Sequence, residues 1–337
     1  MKKFHYMFLL SSVLCLLLFR VAAQERSFVK PDNAPEEITE LQPNEMGSIL
    51  ILEYHLIGAP EGEWRRTPEN FRRDLLLLYK ENYYPIRLQD YLDGKITAPR
   101  GKTPFILTFD DSSGGQFTAI RVKYGIVPEP DCAVGIMEEM KRRYPDFPVT
   151  ATFFVLPGIK KELRLFAQPD LIGAKLKYLV DHGYEIGNHT LWHQNLRKAS
   201  DEDVIKQLAL AVKYIQDFLP GYQMRSLALP YGMQPKNKQL LLKGEYQGVK
   251  YENRAVMLVA GGPAASVFNK GFDPFCLPRI QAGDTPYGPG IWVKRMKKNP
   301  QKRFISDGSQ HTITVPVSMA SELSPGLKQN YRVNLTP

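Results

Sequence analysis

The chain has 337 residues, with 44 Lys and Arg against 35 Asp and Glu and a formal net charge of +9. Such a length suits one large domain or two small ones, and 43% apolar residues is ordinary for a globular protein. No long basic stripe interleaved with aromatic residues is present, which argues against a nucleic-acid partner.

The first residues read as an export signal. Lys2 and Lys3 give a charged start, Tyr6 to Phe19 an apolar run, and Val21-Ala22-Ala23 a small-residue exit. Residues 1–23 are therefore expected to be a signal peptide cleaved after Ala23, with an uncleaved anchor as the alternative. Without Lys2, Lys3 and Arg20 the charge is +6, a mild excess compatible with anionic envelope polymers. Cys15 is apolar filler inside the run. Cys132 and Cys276 remain, and either one disulfide or two free thiols fits an exported chain.

Residues 24–47 are polar and carry Pro31, Pro35 and Pro43, so they read as a linker or loosely held arm. Ser48 to His55 is evenly apolar, as a buried strand would be. Thr67-Pro68 opens a helix whose buried stripe is Phe71, Leu75, Leu76 and Leu78. Tyr83 to Leu88 and Phe105 to Phe109 are further strands. A long connection over 112–148 holds an amphipathic piece at Val134 to Tyr144. Thr150 to Leu156 is a strand, Asp170 is expected to cap a helix ending at Gly183, and Tyr184 to Gly187 is the next strand. Ser200 opens a helix to about Phe218, and Leu227–Leu229, Arg254–Ala260 and Pro278–Gln281 are the remaining strands. Apolar strands alternating with amphipathic helices predict parallel βα units. The domain reading is 48–284 for this α/β unit and 285–337 for a C-terminal extension, basic and then β-like at Thr312 to Val317, packing on it.

Chemistry concentrates at strand ends. Asp110 and Asp111 would face opposite sides of a regular strand, but a turn at its end lets both approach one site. One carboxylate can then bind a cation while the other takes a proton from water. Without company, such a pair would read as a turn cap. His189 and His193 are four apart, and on a helical turn both imidazoles would reach one ion. A His-His-carboxylate set leaves positions open for water and substrate. Zinc is the first expectation, and cobalt, nickel or iron would accept the same donors.

The segments Thr108-Phe109-Asp110-Asp111 and His189-Thr190-Leu191-Trp192-His193, with the approaches Ala151–Val155 and Gly183–His189, resemble the polysaccharide deacetylases, the NodB-like enzymes of carbohydrate esterase family 4. The resemblance covers roughly residues 48 to 282. It implies an irregular (β/α) barrel, with Asp111 joining His189 and His193 as metal ligands and Asp110 as general base. Pro230-Tyr231-Gly232 resembles the family's third motif, whose tyrosine N–H would meet the developing oxyanion. Ala228 stands where that motif carries an arginine, and Arg279 is a candidate substitute cation from another strand. The late histidine that serves the family as general acid is also missing. His55 is the replacement expected here, because some extracellular poly-N-acetylglucosamine deacetylases have a similar early Tyr-His segment; a buried, hydrogen-bonded histidine is the alternative. Gln116 is read as a substrate contact or part of a flexible loop, and Trp192 as a groove wall or a core residue.

The implied function is metal-dependent removal of N-acetyl groups from an envelope or extracellular glycan of N-acetylglucosamine type. The partner is a polysaccharide or oligosaccharide, and the chain would be exported. The alternatives are an O-acetyl esterase using the same site, and a glycan-binding module without turnover.

Overall fold

The computed structural model describes residues 41–160 and 165–337, all within one compact unit, Thr39–Pro337. The expected signal peptide and most of the expected linker lie outside the described residues. In chain order the elements are β1 (Leu50–Tyr54), β2 (Leu56–Ile57), β3 (Arg65–Arg66), α1 (Pro68–Lys80), β4 (Tyr83–Pro85), α2 (Leu88–Leu92) and β5 (Thr103–Asp110). Next come β6 (Ala119–Val122), β7 (Gly125–Pro128), α3 (Ala133–Arg143), β8 (Thr152–Val155), α4 (Ile172–Asp181), β9 (Glu185–Asn188), α5 (Asp201–Gln216) and β10 (Ser226–Ala228). Then follow β11 (Lys243–Tyr246), β12 (Val249–Glu252), β13 (Ala255–Met257), β14 (Ile280–Gln281), α6 (Pro289–Lys298), β15 (Thr312–Pro316) and β16 (Arg332–Thr336). Among the described residues, no helix is long and apolar enough to cross a membrane.

The central sheet is parallel throughout, in the order β13-β10-β9-β8-β5-β1-β14, with β4 beside the start of β5. It curls until its ends meet. Leu277 bridges Met257 just past one edge, and Ile280, three residues on, pairs with Leu52 at the other. The result is the irregular (β/α) barrel.

Strand alternation sorts the side chains. Leu50, Leu52, Tyr54, Phe105, Leu107, Phe109, Phe153, Val155 and Ile186 join the outer cluster under the helices. Their neighbours Ile49, Ile51, Ile106, Phe154, Ala228 and Met257 fill the lumen cluster. The same parity assigns Glu53, His55, Thr108, Asp110, His189 and Arg279 to the lumen side, above this apolar floor. Glycine at 187 is required there: a Cβ would come within 2.5 Å of the Phe154 ring.

Several local expectations need correction. Thr67 does cap α1, accepting from Asn70 N–H, and Ser200 caps α5 through Asp203 N–H. Asp170, however, lies in a 3-10 turn, and α4 begins at Ile172 with no side-chain cap. The expected strands at 254–260 and 278–281 shrink to three and two residues, because the chain leaves the sheet to close the barrel. The connection over 112–148 is well structured, with the β6–β7 hairpin and α3 inside it. Residues 43–47 are no loose arm. They are buried, with Asn44 N–H bonded to Ile305 O and Glu45 N–H to Thr314 O. The strand expected near 312 is β15, which pairs in parallel with β16 and buries Ile313 and Val315 in the lumen cluster. Cys132 and Cys276 are both free thiols.

Candidate active site

The ends of β5, β9 and β10 deliver the chemistry. Asp110 is the last residue of β5 and still points into the lumen, fully buried. Asp111 turns at once into left-handed backbone, φ 72°, followed by Ser112 at φ 48°. This reversal brings the second carboxylate to the same side as the first. Ser112 locks the turn: its Oγ accepts from Leu156 N–H at the end of β8. His189 follows β9. The two histidines do not share a helical turn as expected; Thr190 at φ 67° and His193 at φ 54° make a tight, left-handed loop that folds His193 back. Asn188 Oδ1 holds that loop by accepting Thr190 N–H, and Gln207 Oε1 of α5 accepts Trp192 N–H.

Asp111, His189 and His193 converge, each placing a ligand-type atom within 4.8 Å of the other two. His189 Nε2 lies 3.3 Å and His193 Nε2 3.6 Å from the same oxygen, Asp111 Oδ1. His189 Nδ1 faces Ala228 O at 2.9 Å, so the ring proton belongs on Nδ1 and the Nε2 lone pair is free. His189 Nε2 and Asp111 Oδ1 are buried without a hydrogen-bond partner among the described residues. Such orphans are uncommon in a core, and a divalent cation between them would satisfy both. The donor set fits zinc and its neighbours.

Beside it stands a second triad, Glu53, His55 and Asp110, within the same 4.8 Å limit. Here the cation is a side chain. Arg279 reaches in from the closing segment and clamps Asp110 with two bonds, Nη1 to Oδ1 at 2.8 Å and Nη2 to Oδ2 at 2.7 Å. Its Nη2 also donates to Glu53 Oε1 at 2.8 Å, Nη1 to Thr108 Oγ1 at 3.1 Å, and Nε to Leu258 O at 2.7 Å. Arg279 thus makes, from just before β14, the contact with Asp110 that Ala228 cannot make from β10. His55 Nε2 lies 3.8 Å from Glu53 Oε1, with the Trp64 ring edge-on at 4.8 Å.

These surroundings set the charges. Burial would raise the Asp110 pKa, but Arg279, with His189 and His55, holds its carboxyl far below the usual range. Burial likewise works against ionised Asp111 and is outweighed by His189, so Asp111 also falls. Glu53 goes the other way: burial raises it well above an ordinary glutamate, against the pull of Arg279. Burial lowers His55 and His193.

Tyr231 follows β10 in a strained left-handed turn, φ 60° and ψ 11°, its ring edge-on to His193 at 4.6 Å and exposed. Trp192 is exposed too, not core; its indole covers Gly158, where a Cβ would collide at 2.1 Å. Gln116 touches no groove: buried, it donates to His55 O at 2.6 Å and Asp110 O at 2.5 Å, tying the ends of β1 and β5 together. Two groups escape a sequence reading. Glu53 could have been found as the one charge in an otherwise apolar strand, in step with His55. Trp64 carries no sequence signal, because only the β2–β3 pairing brings it to His55.

A profile for polysaccharide deacetylases matches residues 97–251. A chitooligosaccharide deacetylase of Sinorhizobium fredii is 30% identical over 145 residues, 42% of this chain and 54% of that protein. A peptidoglycan-N-acetylglucosamine deacetylase of Bacillus cereus is 25% identical over 165 residues, 49% of this chain and 50% of that protein. The chain thus spans about half the length of these curated relatives. Among solved structures, the Streptococcus pyogenes deacetylase PplD in complex with acetate superposes with a TM-score of 0.54 at 19% identity, covering 74% of this chain and 99% of that one. IcaB from Ammonifex degensii gives 0.51 at 18% identity, covering 74% and 97%. Both similarities concern the fold.

Proposed function

Because the chain belongs to the polysaccharide deacetylase family by its match over residues 97–251, we propose that it is a metal-dependent hydrolase that removes N-acetyl groups from an envelope or extracellular polysaccharide of N-acetylglucosamine type. The observation that carries the reading is the pairing of two triads: a His-His-carboxylate set with free lone pairs, next to a carboxylate kept ionised by a buried arginine. The names of the relatives, acting on chitooligosaccharide and on peptidoglycan N-acetylglucosamine, support the substrate class.

Asp111, His189 and His193 would hold the ion, zinc first among the candidates. When bound, such an ion polarises a carbonyl and brings the pKa of water towards neutrality. The chain's own groups do the rest. Asp110, ionised across the neutral range, takes a proton from the attacking water. Its depressed pKa makes it a weak base, so its merit is position and constant charge. The Tyr231 N–H donates to the oxygen of the tetrahedral intermediate. His55, on the far side of Asp110, hands a proton to the departing amine. Trp64 shields His55, and Trp192 and Tyr231 offer exposed rings at the mouth. The Arg279 clamp favours turnover over glycan binding alone, since a pure binding site has no use for an ionised, buried aspartate.

The test is acetate release from N-acetylglucosamine oligomers by the full chain, chelated and then reloaded with zinc. Acetate with a matching yield of free amine, lost on chelation, is expected. Acetate from O-acetylated glycans alone would make the chain an esterase, and none from either by any metal form would sink the hydrolytic reading.

A further inference from the structure

The β6–β7 hairpin leaves the loop behind Asp111 and carries an apolar surface that the reaction does not use. Its register pairs Ile120 with Val127 and Val122 with Gly125, so Ile120, Val122 and Val127 share one face. That face is open to solvent: Ile120 is 45% exposed, Val122 47% and Val127 42%, with Tyr124 at the tip 87% exposed. The other face packs inward through Ala119, which is buried, and Ile126, which lies on the main core. The root is stiff, because Gln168 both donates to and accepts from the Ala119 backbone. Between its ends, Ala119 to Pro128, the hairpin has two cations, Arg121 and Lys123, and no acid. Neither cation lies within 4.0 Å of a carboxylate among the described residues, and Lys123 Nζ instead sits 4.9 Å from the Tyr124 ring centre.

We infer that this hairpin docks on an anionic phospholipid surface. The aliphatic face and Tyr124 would enter the boundary between headgroups and acyl chains, where an amphipathic element with an aromatic tip is stable. Lys123, in the turn beside Tyr124, would stand at the height of the lipid phosphates, and the exposed Arg121, on the opposite strand face across from Ile126, adds to the positive charge of the docking end. A second copy of the chain is disfavoured as occupant, because it would bring four like charges together. Sugars are poor partners for Ile and Val side chains. Docking would turn the catalytic end of the barrel towards the membrane, since the hairpin is rooted only a few residues after Asp111.

The experiment uses the full chain throughout, so that any contribution of the N-terminal apolar run is common to all samples. Tyr124→Trp reports on the tip: brominated phosphatidylglycerol vesicles should quench its fluorescence well beyond the quenching of the parent chain. The triple variant Ile120→Ser, Val122→Ser, Tyr124→Ser should co-sediment with phosphatidylglycerol vesicles on the order of tenfold more weakly, with an unchanged melting temperature. Arg121→Gln with Lys123→Gln should weaken binding by a similar factor and flatten its salt dependence. Phosphatidylcholine vesicles should bind poorly. Equal sedimentation of parent and triple variant, no extra quenching at position 124, or a dimer in sedimentation velocity that the triple variant abolishes would each overturn the assignment.

Discussion

Two triads sit side by side in this barrel, one with two carboxylates and a histidine and the other with two histidines and a carboxylate, and they differ in where their positive charge comes from. In Glu53–His55–Asp110 the protein supplies its own cation, the buried guanidinium of Arg279, and both Asp110 oxygens are satisfied. In Asp111–His189–His193 no side-chain cation reaches in among the described residues, and two buried lone pairs are left without partners. A covalently attached charge cannot exchange ligands, so the first triad suits a group that must keep one state. The second has open positions for reactants. One turn of backbone between Asp110 and Asp111 divides the two roles.

The largest effect is expected where the triads meet. Asp110→Asn should lower the rate of acetate release by on the order of a thousandfold, while zinc content measured by plasma emission stays near that of the parent. Loss of both together would mean that the two carboxylates are not separate in function. Next comes Arg279→Met, which leaves Glu53 and Asp110 buried without a counter-charge. Breaking such a pair costs about 3–5 kcal/mol, readable in urea unfolding. In the surviving folded fraction Asp110 should titrate higher, so the acid limb of kcat/KM moves to higher pH. An unmoved limb would show that the clamp does not set the charge of the base.

His55→Ala should cut turnover by roughly a hundredfold with the metal retained, and a smaller effect for amide substrates than for activated esters would remove His55 as the acid. The smallest effect lies outside both triads, at Glu45. Burial raises its pKa to about 8, although Thr314 N–H and Asp307 N–H donate to it. A carboxyl that keeps its proton in the fold but loses it when unfolded favours folding at acid pH. That contribution fades as pH rises from the ordinary glutamate range through about 8. Glu45→Gln should therefore flatten the fall of melting temperature with pH across that window, and a variant with the parent's slope would assign the slope elsewhere.

Much of the architecture was legible from local pattern. Thr67-Pro68 and Ser200 marked helix starts because capping is a matter of adjacent residues. The evenly apolar strands announced a parallel sheet because both faces are covered. The motif residues pointed to one family, and the fold agrees. What failed depends on long-range geometry. The histidine spacing suggested a helix, yet the loop is left-handed, and four residues apart serves both shapes. Arg279, by contrast, was already a candidate substitute for the cation missing at Ala228, and the closing of the barrel does bring it onto Asp110. Gln116 looked like a groove residue because its role, bonding two carbonyls on separate strands, exists only after β1 and β5 pair.

The left-handed residues around the site have an evolutionary corollary. Asp111, Ser112, Thr190, His193 and Tyr231 all occupy backbone that glycine or asparagine adopts far more cheaply. Under selection for heat resistance alone, those two amino acids should accumulate first at positions 190 and 231. Such lineages would gain sturdiness and keep the N–H at position 231, losing only the exposed ring at the mouth.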